Sequence, residues 1–171
     1  FEVTALTKKQ CDTTDFNQVE EQLQKKKYDC IINASAYTKV DDAEENVESS
    51  DMVNCQAIKN ICKIIQNTKI LLIHYSTDYV FDGTSKIPYT ESDNTNPLNQ
   101  YGKSKLNGEK VIHSYSINNL IFRTSWVYDD TSQNFPNKIL DKIKKGEVIN
   151  VVDDQYGVPN HVDFISEVTY K

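Results

Sequence analysis

The chain has 171 residues, of which 38% are hydrophobic and 26% charged, so it is long enough for one domain with a substantial core. The net charge of −6 and the single arginine, Arg123, argue against nucleic acid or an anionic membrane as the main partner. The sequence has no apolar run near the ~18 residues of a membrane span and no signal peptide at residues 1–4, which predicts a soluble, cytoplasmic protein.

Strands and helices alternate along the sequence. The predicted strands cover residues 1–6, 29–33, 69–75, 119–124 and 148–152. The predicted helices run from N-cap candidates at residues 12–15 to about residue 27, over 41–67 in two pieces, over 101–114, and over 135–145 with Gly146 as C-cap. A long turn-rich loop is predicted at residues 82–100 and an irregular polar segment after residue 152.

This alternation predicts an α/β fold with a doubly wound, mostly parallel sheet. Residues 69–75 are almost continuously apolar, as expected of a strand that is buried on both faces. Polar clusters at residues 33–38, 76–79 and 124–126 each follow a predicted strand. Because ligands bind beyond the C-terminal ends of parallel strands, the three clusters predict one shared site.

The four cysteines and three histidines predict no metal site. The cysteines have no C-x-x-C spacing, and the histidines are scattered. Cys55 and Cys62 lie on one predicted helix, where two small core-facing side chains are a more common explanation than a reactive pair. The acidic residues at 41–45 would lie in a first helical turn, where carboxylates usually complement the helix dipole.

Tyr101 and Lys105 are the first candidates for chemistry. Residues i and i+4 share a helix face, so the phenol and the ammonium would project into the same space. A nearby ammonium favours phenolate and would lower a tyrosine pKa of about 10. Thr77, at the end of a strand, could hydrogen-bond a substrate carbonyl beside Tyr101. Together the three residues predict a proton-transfer site for reducing a ketone or oxidising an alcohol.

Five segments resemble the extended short-chain dehydrogenase/reductase superfamily, and more closely its dTDP-4-dehydrorhamnose reductase family. They are INASAYTKVD at 32–41, YSTDYVFDG at 75–83, NPLNQYGKSK at 96–105, RTSWVY at 123–128 and VDDQYG at 152–157. They occur in the order and spacing of the family over essentially the whole chain. The resemblance implies a Rossmann-like fold that reduces the C4 keto group of dTDP-4-dehydro-L-rhamnose to dTDP-L-rhamnose.

The resemblance also implies a role for each matching residue. Tyr101 would protonate the developing C4 alkoxide, and Lys105 would lower the Tyr101 pKa and hold the nicotinamide ribose. Thr77 would hydrogen-bond the keto oxygen, Asp78 would contact the sugar, and Trp126 would offer its flat face to the substrate. No residue is expected to bind a metal.

NADPH or NADH is the implied cofactor and a dTDP-sugar the implied partner, with a homodimer as one option. The implied cofactor-binding residues are Asp12, Thr13, Ala36, Tyr37, Thr38, Tyr75, Tyr101 and Lys105.

One family feature is missing from the sequence. Dinucleotide-binding folds begin with a strand and a glycine-rich turn that holds the pyrophosphate, and none of the five glycines here forms that turn. We therefore expect residues 1–171 to be one partial NAD(P)-binding Rossmann-like domain, a fragment without the first strand and the phosphate-binding turn. Residues 124–171 would lead into the substrate-binding part.

Two alternatives stay open at this point. One is another nucleotide-sugar epimerase or reductase of the same superfamily. The other is a non-catalytic regulatory subunit resembling the methionine adenosyltransferase β-subunit, which keeps similar Tyr-x-x-x-Lys residues. The stretch at residues 36–41 favours the reductase over this subunit.

Overall fold

The computed structural model describes residues 2–131 and 134–171, and the chain divides into two units, Phe1–Arg123 and Thr124–Lys171. The first unit holds most of the helices and strands. In chain order they are α1 (Phe16–Gln24), β1 (Cys30–Asn33), α2 (Asp42–Glu45), α3 (Val47–Asp51), a π-helical turn (Met52–Gln56), α4 (Ala57–Ile65), β2 (Leu71–Thr77), a 3-10 turn (Asp78–Val80), α5 (Gln100–Ser114) and β3 (Asn118–Thr124).

The strands form a sheet in the order β1-β2-β3. β1 and β2 run parallel, with Cys30 opposite Leu71 and Asn33 opposite His74. Parallel pairing puts the C-terminal ends of both strands at the same edge of the sheet, where the polar residues that follow them converge. The predicted α/β class with a parallel sheet is thus confirmed.

The core lies between this sheet and helices α1, α4 and α5. Its buried members are Val19, Ile58, Ile61, Cys62, Ile65, Leu72 and Ile112. Spacings of three and four residues place Ile58, Ile61, Cys62 and Ile65 on one face of α4. Each large side chain buried here contributes roughly 1.5–3 kcal/mol to folding. Cys55 and Cys62 are both buried, as predicted.

The prediction of two helical pieces over residues 41–67 was wrong in detail. α2 ends at Glu45, α3 follows from Val47, and a π-helical turn at Met52–Gln56 joins α3 to α4. Such turns insert an extra residue into a helix and are frequent at functional sites. Here the turn carries Asn54, which is 1% exposed.

Helix α5 begins where the sequence predicts, and its cap explains why. Asn99 lies in extended backbone, and its side-chain oxygen accepts a hydrogen bond from the Gly102 amide at 2.7 Å. This satisfies one of the amides that an α-helix leaves unpaired at its start. The helix runs without interruption to Ser114, so Tyr101 and Lys105 are one turn apart, as predicted.

The second unit contains β4 (Val127–Tyr128), α6 (Phe135–Lys145), β5 (Asn160–His161) and α7 (Val162–Tyr170). β4 and β5 pair in parallel, with Val127 opposite Asn160. α6 begins at the predicted residue and ends at Gly146, whose φ of 67° gives the predicted left-handed C-cap. In the described parts of both units, no helix combines the length and the hydropathy that a membrane crossing needs.

Three predictions near the chain ends were wrong. Residues 2–6 and 148–152 form no strand, and Phe1 lies outside the described residues. Val148 is 84% exposed and Val3 80%, so neither segment has the neighbour that an apolar strand requires. The segment after residue 152, expected to be irregular, contains β5 and α7.

Candidate active site

The end of β2 presents a hydroxyl and a carboxyl side by side. Thr77 is the last residue of the strand and is 4% exposed, and its hydroxyl donates to Asp78 Oδ1 at 3.2 Å. The Thr77 hydroxyl oxygen also accepts from the Tyr79 amide at 3.3 Å, which caps the start of the 3-10 turn. Burial raises the pKa of the Asp78 carboxyl, and the Thr77 hydrogen bond partly offsets this.

Tyr101 lies on the first turn of α5 with its ring edge-on to Tyr79, at 5.8 Å between centroids. Burial raises the pKa of the Tyr101 phenol, a hydrogen bond with Thr77 lowers it, and the charges of Asp78 and Tyr79 raise it again. The Tyr101 pKa is thus raised and not lowered as the sequence predicts, because the cost of desolvating a phenolate exceeds the opposing effects. A phenol that keeps its proton is the form required of a general acid.

Lys105 is 2% exposed, which is rare for a lysine. Its ammonium donates to the carbonyl oxygen of Tyr75 at 2.6 Å. Burial lowers the Lys105 pKa to about 8, while the charge of Glu109 raises it. A positive charge is thus held one turn behind Tyr101, at the edge of the sheet that carries Thr77.

Two glycines allow α5 to approach its neighbours closely. A Cβ on Gly102 would lie 2.3 Å from the carbonyl oxygen of Tyr79, and a Cβ on Gly108 would lie 2.3 Å from the carbonyl oxygen of Asn54. No side chain fits at such distances. The helix is therefore packed directly against the 3-10 turn and the π-helical turn, and this packing fixes the position of its Tyr101 face.

Asn54 joins α5 to the loop after β1, a role that the sequence did not reveal. Its side chain accepts from the Tyr37 amide at 2.8 Å, and donates to the Tyr37 carbonyl at 3.1 Å and to Ser104 Oγ at 2.9 Å. Ser104 in turn donates to the Tyr101 carbonyl at 2.8 Å and accepts from Ser50. The sequence signal that could have revealed this role is the position of Asn54, a polar residue between the apolar positions of a predicted helix.

Two of the residues predicted to bind a cofactor lie in the turn before α1. The Thr13 hydroxyl lies 3.3 Å from Ser35 Oγ, in the loop after β1, and Asn60 of α4 donates to the Thr13 carbonyl at 3.2 Å. The Asp12 carboxylate accepts from the amide and hydroxyl of Thr14, and these hydrogen bonds lower the Asp12 pKa. The turn is therefore built onto the C-terminal edge of the sheet.

The loop after β1 carries three more of the residues that were predicted to bind a cofactor. Ala36 and Tyr37 are half-buried and Thr38 is exposed. The Tyr37 hydroxyl donates to Asp42 at the start of α2. Tyr75, on β2, stacks on Phe122 with 6.0 Å between ring centroids.

Trp126 lies in the second unit, where it is 44% exposed and has a φ of 45°. A Cβ on Gly157 would lie 2.5 Å from the indole, so the glycine packs against the ring face. The backbone amide of Asn160 donates to the Trp126 carbonyl at 3.2 Å. The strained backbone is thus held by a pairing partner, and the indole stays partly exposed.

The donors at this edge of the sheet suit a dinucleotide better than a metal ion. Lys105 has three ammonium hydrogens, of which the Tyr75 carbonyl uses one, and Thr13, Ser35 and Thr77 add hydroxyls. Across the described ranges, 2–131 and 134–171, no group of three or more His, Cys, Asp or Glu side chains could hold a metal ion. The ammonium and hydroxyl donors are of the kind that binds the sugar hydroxyls of a nucleotide cofactor.

Comparison with known proteins identifies relatives for the whole chain. The family model described as "RmlD substrate binding domain" matches residues 1–171. The dTDP-4-dehydrorhamnose reductase of Salmonella typhimurium is 42% identical over 151 residues, which are 88% of this chain and 50% of that protein. The one from Escherichia coli K12 is 42% identical over 141 residues, or 82% and 47%.

Solved structures agree with these sequence matches. The crystal structure of dTDP-4-dehydrorhamnose reductase from Bacillus anthracis in complex with NADP superposes with a TM-score of 0.95 at 34% identity, covering 99% of this chain and 60% of that one. The corresponding structure from Clostridium acetobutylicum gives 0.92 at 33% identity, with the same coverage. The chain spans about half the length of the curated relatives it matches.

Proposed function

Because the chain belongs to the RmlD substrate binding domain family, we propose that the protein carrying it is a dTDP-4-dehydrorhamnose reductase. It reduces the C4 keto group of dTDP-4-dehydro-L-rhamnose to the alcohol of dTDP-L-rhamnose with NADPH or NADH. The observation that carries this proposal is the convergence of Thr77, Tyr101 and Lys105, from one strand and one helix, at the C-terminal edge of the sheet.

Each of these side chains has a chemical task in the reduction. The Thr77 hydroxyl hydrogen-bonds the C4 keto oxygen, which fixes the carbonyl and polarises it. Tyr101 gives its phenolic proton to that oxygen as the alkoxide forms, and its raised pKa keeps the proton in place until then. The Lys105 ammonium stabilises the phenolate that remains. Asp78 and Trp126 contact the sugar nucleotide.

The cofactor supplies the hydride that becomes the new C4–H bond. Lys105 would donate to the nicotinamide ribose, because its ammonium has three hydrogens and the Tyr75 carbonyl accepts one of them. Tyr75, Ala36, Tyr37 and Thr38 line the path of the cofactor. Asp12 and Thr13 lie at its adenine end, where the Thr13–Ser35 contact ties their turn to the sheet edge.

The protein carrying this chain, incubated with dTDP-4-dehydro-L-rhamnose and NADPH or NADH, tests the proposal. We expect one dTDP-L-rhamnose for each reduced nicotinamide consumed, measured by nicotinamide absorbance and by chromatography of the sugar nucleotides. Interconversion of the C4 epimers of a 4-hydroxy nucleotide sugar, without net nicotinamide oxidation, would assign an epimerase instead. Absence of turnover together with stoichiometric capture of a partner enzyme would assign a regulatory subunit. A homodimer and a cytoplasmic location stay predictions.

A further inference from the structure

On the same face of α5 as Tyr101 and Lys105 lies a second buried charged residue, which the mechanism above does not use. Glu109 lies one turn beyond Lys105 and is 2% exposed, although carboxylates are seldom buried without partners. Its carboxylate accepts from Arg123 Nε at 3.1 Å and from Arg123 Nη2 at 2.7 Å, which is a bidentate ion pair. Arg123 is on β3 and is the only arginine of the chain.

The same carboxylate reaches the catalytic strand. Glu109 Oε1 accepts a hydrogen bond from the hydroxyl of Ser76 on β2. Ser76 stands between Tyr75, whose carbonyl receives the Lys105 ammonium, and Thr77. The Glu109 side chain thus joins α5 to Ser76 on β2 and to Arg123 on β3.

An aromatic ring also holds Arg123, the partner of Glu109. The Arg123 guanidinium stacks over the Phe81 ring with 5.0 Å from Cζ to the ring centroid. Phe81 directly follows the 3-10 turn that begins with Asp78, and it stacks on Tyr89 at 4.3 Å. The arginine is therefore held on its face by an aromatic ring and on its edge by the carboxylate.

We propose that Glu109, oriented by Arg123, is a positioning residue that locks the Lys105 turn of α5 onto the end of β2 and supplies the counter-charge for the buried ammonium. This inference rests on the proposed reductase function, because Lys105 acts only if the reaction occurs at this site. The residue itself touches neither substrate nor cofactor.

Several groups surround Lys105, and one of them supports its charge. The titratable and charged groups on the neighbouring elements include His74 and Tyr75 on β2, Asp78 and Tyr79 on the 3-10 turn, Tyr101 and Glu109 on α5, Arg123 on β3, and Glu44 on α2, which accepts from the Gln100 amide at 2.7 Å. The π-helical turn and α3 meet α5 through the neutral Asn54 and Ser50. Only the charge of Glu109 raises the Lys105 pKa against the burial that lowers it to about 8.

Removal of the Glu109 charge gives a result that a purely structural role would not. In Glu109→Gln the Lys105 pKa falls further, so the ammonium is lost at lower pH. The alkaline limb of the kcat/KM profile should therefore move to lower pH by roughly 0.5–1 unit. Glu48→Gln, which neutralises an exposed carboxylate on α3, is the matched control and should leave the limb in place.

A second variant covers the case in which Glu109→Gln leaves Arg123 unpaired and the protein unfolds. The double variant E109Q/R123M removes both charges, and replacing a buried pair by neutral groups is often tolerated. The double variant also lacks the Glu109 charge that raises the Lys105 pKa, so it should fold and keep the displaced alkaline limb.

The two proposals fail in different ways. Wild-type protein that does not reduce the sugar nucleotide would overturn the proposed function. A wild-type protein that is active, combined with an unshifted alkaline limb in the folded Glu109 variants, would overturn this inference and leave the reductase standing.

Discussion

The two units of the chain hold their polar side chains in different ways. In Phe1–Arg123, polar and charged groups such as Asn54, Lys105 and Glu109 are buried, and each is hydrogen-bonded to groups on neighbouring elements. In the described part of Thr124–Lys171 no residue is buried, and the contacts include caps and short backbone pairings such as Val127 with Asn160. A buried polar network fixes geometry because a lost partner is costly, whereas exposed contacts exchange with water.

The largest difference between the units should appear in catalysis. Tyr101→Phe removes the proposed proton donor, so kcat should fall by roughly 10²–10⁴ while cofactor affinity stays near that of the wild type. Trp126→Ala in the second unit removes only a proposed substrate contact and should raise KM with little change in kcat. Steady-state kinetics with NADPH titrations separate the two effects. An unchanged kcat in Tyr101→Phe would end the catalytic assignment.

Two glycines test the packing difference. Gly108→Ala places a Cβ 2.3 Å from a backbone oxygen, so the free energy of unfolding should fall by roughly 1–3 kcal/mol and activity should fall with it. Gly146→Ala, at the end of α6, meets no atom within 4 Å and should cost about 1 kcal/mol for its left-handed backbone alone. Urea unfolding and kinetics measure both. Equal losses of activity would contradict the comparison.

His74 tests whether burial controls charge in the first unit. Burial and the charge of Lys105 lower its pKa to about 3, while an unfolded chain binds the proton near pH 6.5. The unfolded state therefore holds more protons between these values, and stability is lost as the pH falls from about 6.5 towards 3, by at most roughly 1.4 kcal/mol per unit.

The variant His74→Asn keeps an acceptor for the Asn33 amide, which lies 3.2 Å from His74 Nδ1, but cannot titrate. Its free energy of unfolding should decline less steeply between pH 6.5 and 4 than that of the wild type, measured by urea titration at several pH values. Parallel slopes would show that His74 is not the buried neutral base described above.

The smallest expected effect is on stability, when the asparagine N-cap of one helix in each unit is removed. Asn99 caps α5 by accepting from the Gly102 amide at 2.7 Å, and Asn134 caps α6 by accepting from the Asn137 amide at 3.0 Å. Asn99→Ala and Asn134→Ala should each cost about 1 kcal/mol of stability. Only Asn99→Ala should also lower kcat, because its helix carries Tyr101. A similar kcat loss in both would argue against placing catalysis in the first unit.

The sequence predictions were accurate where local interactions determine the structure, and they were wrong where contacts between distant segments determine it. α5 and α6 were predicted at almost their observed bounds because helix ends depend on nearby residues. Asn99 directly precedes α5, and Gly146 directly follows α6. The strands at residues 1–6 and 148–152 were wrong because apolar alternation becomes a strand only when another strand pairs with it. The helix α7 was missed because the predicted irregular segment has no long apolar repeat.

For the site, the sequence by itself determined which groups share a helix face and which strand end they meet. Helical periodicity places Tyr101 and Lys105 together, and the apolar run before Thr77 makes that residue a strand end. The tertiary structure alone decided their electrostatics. Tyr101 has a raised pKa and Lys105 a lowered one because other segments of the chain exclude water from both. Desolvation depends on how distant segments pack, and no local pattern encodes it.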